Sequence, residues 1–443
     1  MKKLNITFCS YPDFSNNAKA LYEYMIKNYE NKMNFNWVVN DKNNLLWLKK
    51  QGINAYFLGS IEFKKYIKKT DVFFTTHCNL TGDKTEKSLY VELWHGISSK
   101  KVGFMMNNIS RKDESWYKHL SETIDYFIVP SEFWSLIFAN RFNINLKQIL
   151  PIGYPKLDNL NNKDASGNLS KLLNLNIEKY KKVIFYMPTF RQGCGRRESF
   201  FGNNILNLQN YNEEELIKYL MDNNYLLCIK KHPSEQMNIL NNFEQSDNVK
   251  LLEDDLLRKN NLDVYDILNA ADVLITDYSS LGIEFLYLNK PVIYINTDVE
   301  EYMKNRGICY NNFDFWSSSM SVNNLSALKE KLDFYLKYDN DLPQNLKEKR
   351  DLWFNNLEDG GCKNICSYFF TDDGNLRNDL NPYINDSKKI VQLNNIITQK
   401  EEDIKYFKRL SAQRKEELNL VYNSKSWKIL EKLRKVKRRI LKK

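Results

Sequence analysis

Residues 271–285 read ADVLITDYSSLGIEF, and this run decides the fold class. Val273 to Thr276 stays apolar up to its final threonine, as a strand covered on both faces must. The chain then turns through Asp277 and Tyr278, and Ser279 and Ser280 open a helical pattern that runs to Leu288. A buried strand passing straight into a helix is half of a βαβ unit, and such units build parallel sheets with helices on both faces. The alternation continues outward in both directions. Strands are expected at Lys182 to Met187, Tyr225 to Ile229, Val249 to Leu251 and Pro291 to Ile295, with helices at Glu213 to Asn223 and Asp263 to Asn269. The N-terminal part repeats the pattern with strands at Leu4 to Ser10, Asn36 to Val39, Ala55 to Leu58, Asp71 to Thr75, Leu89 to Trp94 and Thr123 to Val129. A helix is expected over Asn17 to Lys27, and another capped at Ser131. Asn159 to Ser170, rich in Asn, Asp, Gly and Ser, reads as a linker. The expectation is an α/β protein of two doubly wound, Rossmann-like domains, residues 1–158 and 171–375, facing a cleft, followed by a separate segment at 386–443.

Composition narrows the function classes. The net charge is +10, but Lys425 to Lys443 alone carries +9, so the body is nearly neutral. A nucleic-acid partner is therefore not expected, because such proteins carry their basic surface on the folded domain. The seven cysteines are scattered and mostly in apolar runs, which reads as reduced thiols. Cys362 and Cys366 are the one close pair, and no second half-site completes a zinc motif. The N-terminal MKKLNITFCSYPDF reads as a first strand without the apolar core of a signal peptide, and no run reaches the ~18 apolar residues of a membrane span. A cytoplasmic location follows as an expectation. From Ile390 to Val421, apolar residues fill most a and d heptad sites, including Ile404, Phe407 and Leu418, which predicts a coiled coil and homo-oligomerisation. Beyond it, Ile429, Leu433, Val436 and Ile440 line one face of a basic helix suited to an anionic membrane surface, with Trp427 at the interface. The competing readings of that tail are a solvated charged helix or nucleic-acid contact.

Four histidines bound the candidate chemistry: His77, His95, His119 and His232. His95, in LWHGISSKK, follows an apolar strand and precedes Gly96, which permits a tight turn. His232, in LLCIKKHPSE, also ends a strand, with Pro233 stopping it. Strand ends of this kind are where doubly wound folds put reactive groups. One such histidine is more often structural; two at matching strand ends favour function. His119 is expected on a helix surface, and His77 is ambiguous. Ser279 and Ser280, with Asp277 beside them, suit a phosphate at a helix start, against the plain alternative of an N-cap. Glu284, one turn on, either reaches a ribose hydroxyl or sits beside the strand. Thr189 and Arg191, in MPTFRQG, and Arg306, in KNRGICY, supply a hydroxyl and two cations for phosphate.

The ordered motifs Trp94-His95-Gly96, Pro130 to Phe133, Gly153-Tyr154-Pro155, Pro188 to Arg191, Lys231-His232-Pro233, Thr276 to Ser280, Lys290-Pro291 and Arg306-Gly307 resemble the CDP-glycerol glycerophosphotransferase family. That family primes and polymerises teichoic acids and has relatives among capsule polymerases. The resemblance runs from Leu4 to Tyr368. It implies a GT-B fold, with the acceptor held by the first domain and the donor nucleotide by the second. It also implies His95 as base, His232 as assistant at the phosphate, and Ser279 and Ser280 on donor phosphate. The partners it implies are a CDP-polyol donor and a lipid-linked glycan acceptor at the cytoplasmic face of the membrane. Two departures stand out: the chain reads WHGISSK where the family often reads W-H-G-T-P-L-K, and GYPK where it reads G-Y-P-R. No Asp-X-Asp of the kind that would hold a divalent ion is expected, no cofactor is predicted, and a divalent ion chelated by the donor stays open. A GT-B glycosyltransferase using a sugar nucleotide, and a non-catalytic membrane scaffold, remain the alternatives.

Overall fold

The computed structural model describes residues 3–161, 164–189, 204–230, 246–317, 320–338, 341–354 and 360–380 of the body. Of the tail it describes 404–406, 408–409, 411–412, 414–416, 419, 423–424 and 427. Residues 1–383 form one compact unit and 384–443 another.

Among the described residues thirteen strands make two sheets, and every pairing between these strands is parallel. The first holds β1 (Leu4–Cys9), β2 (Met33–Val39), β3 (Ala55–Phe57), β4 (Val72–Thr75), β5 (Leu89–Glu92), β6 (Tyr126–Ile128) and β7 (Ile149–Leu150) in the order 3-2-1-4-5-6-7. The second holds β8 (Lys182–Tyr186), β9 (Tyr225–Lys230), β10 (Val249–Leu252), β11 (Val273–Thr276), β12 (Val292–Ile295) and β13 (Ser321–Val322) in the order 10-9-8-11-12-13. Each sheet winds outward from a central strand and then reverses, at β1/β4 and at β8/β11. A crevice opens beyond the carboxyl ends of the strands at such a reversal, and ligands bind there. β11 is wholly buried, as its unbroken apolar run required.

The structure departs from the sequence reading in four places. The expected linker is structured: Asn159–Asn161 is a 3-10 turn and Ala165–Leu173 a helix whose Leu169 and Leu172 are buried. Composition concealed this because Asn159, Asn168 and Ser170, which read as loop residues, are half-buried and hydrogen-bonded to neighbouring segments. Residues 263–269 form two 3-10 turns, Val264–Asp266 and Leu268–Ala270, in place of one helix. Ser131 stands at the start of helix Glu132–Phe142 but makes no side-chain cap; its hydroxyl donates to the Leu352 carbonyl at 2.9 Å. The strand expected to reach Trp94 stops at Glu92, because Trp94 takes φ +52°. The short edge strands β7 and β13, two residues each, carried no readable alternation.

After the second sheet the chain returns to the first. Helix Gly361–Phe369 lays Phe369 edge-on against Phe74 (6.1 Å) and Tyr126 (5.2 Å). The start of that helix is held by Asp158, whose carboxylate accepts from Gly361 N at 2.7 Å and Cys362 N at 2.8 Å. Any side chain at 361 would meet the Tyr154 backbone at 2.6 Å, so only glycine lets the helix approach. A tryptophan cluster forms a second seam: Trp134 of the first domain stacks on Trp316 at 5.8 Å, and Trp316 on Trp353 at 5.6 Å. Trp134 Nε1 donates to Trp353 O and Trp316 Nε1 to Cys309 O, both at 3.1 Å. The six described cysteines are buried and unbonded to one another. Among the described residues no helix is long and apolar enough to cross a membrane. The described tail residues 404–406 are helical, with Ile404 exposed; the other apolar heptad positions and the basic stripe lie outside the described residues.

Trp316→Ala removes a wholly buried ring from that seam and is expected to cost about 3–5 kcal/mol, with Trp316→Phe losing less. Urea unfolding midpoints of the two variants check this ordering.

Candidate active site

His95 stands just beyond β5, and its immediate setting is built by backbone strain. A bulky residue in the left-handed region costs about 1–3 kcal/mol, and it persists only where neighbours over-determine it. Trp94 N donates to Glu92 Oε1 at 2.9 Å, and the buried Asn17 donates through Nδ2 to Leu93 O (3.0 Å) and Trp94 O (2.9 Å). Asn17 Oδ1 in turn accepts from Lys156 N at 3.1 Å, tying Gly153-Tyr154-Pro155-Lys156 to Trp94-His95-Gly96. The strained residue is thus Trp94 and not Gly96, whose φ lies outside the left-handed region. Gly96 is required for a different reason. A Cβ there would lie 3.0 Å from Glu284 Oε1 and 3.4 Å from both Lys156 Nζ and Ser280 Oγ, so the second domain closes directly onto its backbone.

The His95 ring is locked by its own hydrogen bond. Nδ1 lies 3.2 Å from the Thr76 carbonyl, which only accepts, so Nδ1 carries the proton and a neutral ring keeps its lone pair on Nε2. Burial, and then the neighbouring His77, hold the imidazole well below its usual pKa. His77, which follows β4 and was ambiguous in the sequence, stacks on His95 with ring centres 4.1 Å apart and planes 10° from parallel. Its own pKa is pushed down to about 4 by burial and then by Lys156. Trp94 covers His95 at 4.3 Å, and Tyr11 meets His77 edge-on at 5.7 Å. His119 is exposed on helix Arg111–Thr123, as expected.

Beneath the loop lies a buried ion pair between the domains. Lys156 Nζ is 3.0 Å from Glu284 Oε1, with the two side chains 2% and 0% exposed. The ammonium also donates to His95 O and to the Tyr265 hydroxyl, each at 2.8 Å, which occupies all three of its protons. Glu284 accepts from Ile97 N at 3.2 Å, and its second oxygen accepts from Tyr265 OH. Glu284 is therefore committed to the domain interface; neither the ribose reading nor a passive place beside the strand describes it. Lys156 is the residue at which the chain departs from G-Y-P-R. Sequence reasoning gave no role to Asn17, Lys156 and Tyr265 because nothing local marks residues whose partners lie from 19 to 139 positions away.

Beyond His95 the chain runs as a strap along the second domain. Lys100 bridges Ile308 antiparallel, Cys309 N donates to Ser99 O at 2.7 Å, and Lys101 N to Gly307 O at 3.1 Å. Arg141, buried behind the strap, donates through Nη2 to Ser98 O and, at 3.0 Å, to Lys100 O. Arg306, half-buried, closes helix Val299–Asn305 and directly precedes Gly307, which pairs with the strap. At the second reversal point, Thr189 donates through its amide (2.8 Å) and hydroxyl (2.9 Å) to the two oxygens of Asp277. Ser279 caps its helix by accepting from Leu281 N at 3.3 Å, the plain alternative, while Ser280 Oγ lies against Gly96. The structure thus brings together His95, Gly96, Ser280 and Glu284 directly, and Arg306 through the strap. His232, Pro233 and Arg191 lie outside the described residues. Among those described, no cluster of three His, Cys, Asp or Glu side chains that could hold a metal ion is present.

Two parallel doubly wound sheets, the histidine-bearing loop of one lying against the Ser-Ser helix start of the other, make a GT-B-like α/β fold. The chain belongs to the CDP-glycerol:poly(glycerophosphate) glycerophosphotransferase family, whose model matches residues 1–370. It is 30% identical over 361 residues to the teichoic acid glycerol-phosphate primase of Bacillus subtilis (strain 168), covering 75% of this chain and 88% of that one. It is 26% identical over 382 residues to the teichoic acid glycerol-phosphate transferase of Staphylococcus aureus (strain NCTC 8325 / PS 47), covering 81% and 90%. In fold it is similar to the wall teichoic acid polymerase TagF, with a TM-score of 0.64 at 22% identity over 82% of this chain and 86% of that one.

Removing one partner of the buried pair strands the other charge. Lys156→Met is expected to destabilise by about 3–5 kcal/mol, and Lys156→Met with Glu284→Gln to recover part of that loss, read from denaturant midpoints.

Proposed function

We propose that this protein transfers a polyol phosphate, such as glycerol phosphate or ribitol phosphate, from a CDP-activated donor to a hydroxyl of a lipid-linked surface glycan. In this reaction the acceptor oxygen forms a bond to the polyol-bearing phosphorus, the bridging P–O bond of the diphosphate breaks, and CMP leaves. The observation that supports the reading is the close approach of Ser280 Oγ to Gly96, the residue that follows His95. In this reading His95 serves the acceptor and Ser280 offers a hydroxyl suited to donor phosphate. An acceptor hydroxyl is far too weak an acid to ionise at neutral pH, so His95 Nε2, unprotonated and backed by the Thr76 carbonyl, takes its proton as attack proceeds. Burial keeps that imidazole neutral, so the base is ready at working pH. Charge moving onto the leaving CMP is met by Arg306 and, from the sequence pattern, by His232 and Arg191. Thr189 and Asp277 contribute by holding β8 and β11 together at the reversal point, and Ser279 by capping the helix that carries Ser280. The names of the two relatives, a glycerol-phosphate primase and a glycerol-phosphate transferase, support this donor class.

The acceptor's lipid places the reaction at a membrane surface on the side where nucleotide donors are made, which is the cytoplasmic face. The basic segment from Lys425 is the anchor in this reading, each Lys or Arg near anionic lipid adding about 1 kcal/mol, and the heptads before it join copies of the chain.

Incubated with CDP-glycerol, CDP-ribitol, UDP-sugars and GDP-sugars plus a lipid-linked acceptor, the protein is expected to release CMP and extend the acceptor. Release of UDP or GDP without CMP would overturn the reading in favour of glycosyl transfer. His95→Ala is expected to lower kcat by about 10²- to 10⁴-fold. Deleting Lys425 to Lys443 is expected to abolish sedimentation with anionic liposomes while leaving turnover of a soluble acceptor intact.

A further inference from the structure

Glu92 has no place in the chemistry described so far, yet it lies under both site histidines. It is the last residue of β5 and pairs in register with Thr75, the last residue of β4. His77 lies on the loop that leaves β4 and His95 on the loop that leaves β5. The Glu92 side chain is fully buried, and its carboxylate reaches both loops. Oε2 accepts from Cys78 N at 2.9 Å, next to His77, and Oε1 accepts from Trp94 N at 2.9 Å, next to His95. Oε2 also accepts from the Thr75 hydroxyl at 2.5 Å, which itself lies 2.8 Å from the Tyr90 hydroxyl. A carboxylate is an acceptor at every lone pair, and this one meets a donor from each element around it.

We propose that Glu92 is a positioning residue for the transfer reaction, its ionised carboxylate clamping the backbones of the two loops so that His77 and His95 stack and His95 keeps its bond to Thr76. The inference rests on the reading of His95 as base. The Trp94 bond is the one that fixes its left-handed backbone immediately before His95, and the Cys78 bond fixes the loop whose Thr76 carbonyl orients the His95 ring. Loss of the negative charge weakens both at once, since hydrogen bonds to an ionised acceptor are about twice as strong as neutral ones. A protonated Glu92 would also have to reverse the Thr75 bond, donating to that hydroxyl.

The groups facing Glu92 are Cys9 from β1, Thr75 from β4, Cys78 from the following loop, Tyr90 on β5 and Tyr154, and no ion pair to it forms among the described residues. Burial pushes the Cys9 thiol up to about 12 and holds Cys78, Tyr90 and Tyr154 well above their usual values, so all four are neutral near pH 7. Burial likewise raises Glu92, to about 7, with the hydrogen bonds from Thr75, Cys78 and Trp94 opposing it. His77 and His95 sit below their usual values. Near pH 7 the charge that changes is therefore that of Glu92: it is present above and lost below, and the clamp weakens as pH falls.

Two measurements on the full chain test this. Selective ¹⁵N-histidine labelling of a protein with four histidines reports ring tautomers without any turnover. His95 is expected to show the Nδ1–H form above pH 7 and to change its signals as pH falls through about 7, without ring protonation; Glu92→Gln is expected to abolish that step. Kinetically, the wild type is expected to lose kcat on the acid side of about 7, and Glu92→Gln to give a flat profile lowered about 10- to 100-fold, with the KM for CDP-polyol unchanged. Glu92→Asp, which keeps the charge on a shorter arm, is expected to retain an acid limb, and it and the wild-type titration carry the test if Glu92→Gln does not fold. A Glu92→Gln enzyme that keeps the wild-type limb, or wild-type histidine signals that do not move between pH 6 and 8, would overturn the proposal. Absence of turnover with every CDP-polyol would sink the donor reading and leave the histidine spectra to decide on Glu92.

Discussion

One ion pair holds the two halves of the site at a fixed separation. Lys156 and Glu284 come from different domains and are sealed from water, and neither can keep its charge there without full satisfaction. Each ion loses several kcal/mol of hydration on burial. The three protons of Lys156 go to Glu284, Tyr265 and the His95 carbonyl, and Glu284 takes the Ile97 amide and the Tyr265 hydroxyl besides. Such a network contributes little net stability over an apolar plug of the same shape, but it tolerates only one arrangement. Because one of its members is the backbone of His95 itself, that arrangement is also the register of the proposed base against the second domain.

The other contacts across the interface extend this constraint. The strap from Ser98 to Lys101 pairs with Gly307 to Cys309, so the position of Arg306 follows from that of His95. Arg141 finds backbone carbonyls for its buried guanidinium on the strap, and the tryptophan seam supplies the apolar area that the ion pair does not. Helix Gly361–Phe369 then carries the chain back over the first sheet, so the two domains are joined at both ends of the second. Both departures from the family's usual motifs fall in this interface: Lys156 in the ion pair, and Ile97 and Ser98 where the strap begins.

Electrostatically, the site separates its tasks by burial. The imidazoles of His77 and His95 are held neutral, which suits proton removal. Lys156 helps depress both histidines and is itself neutralised by Glu284, so its charge does not compete for donor phosphate.

The sequence by itself determined the two parallel sheets, because strands buried on both faces must be written as apolar runs, and VLIT, PVIYI and VIFYM are such runs at helix-spaced intervals. It also marked His95 and Ser280 as candidates, since strand ends and the turns after them are the places where a doubly wound fold exposes chemistry. Period and composition are local properties, and these features are local. What only the tertiary structure decided is non-local. Gly96 reads as a turn glycine, but a Cβ there would lie only 3.0 Å from Glu284 Oε1, nearly two hundred residues away. Glu284 reads either as a ligand for ribose or as a residue beside the strand, and the fold gives its carboxylate Lys156, Ile97 and Tyr265 as partners. His77 became a partner of His95 only when β4 and β5 were laid side by side, and the Asn-rich run after Asn159 became helix because its few leucines found a core. Sequence spacing reports which face a residue occupies, whereas the identity of what meets that face depends on how two separately folded sheets close on each other.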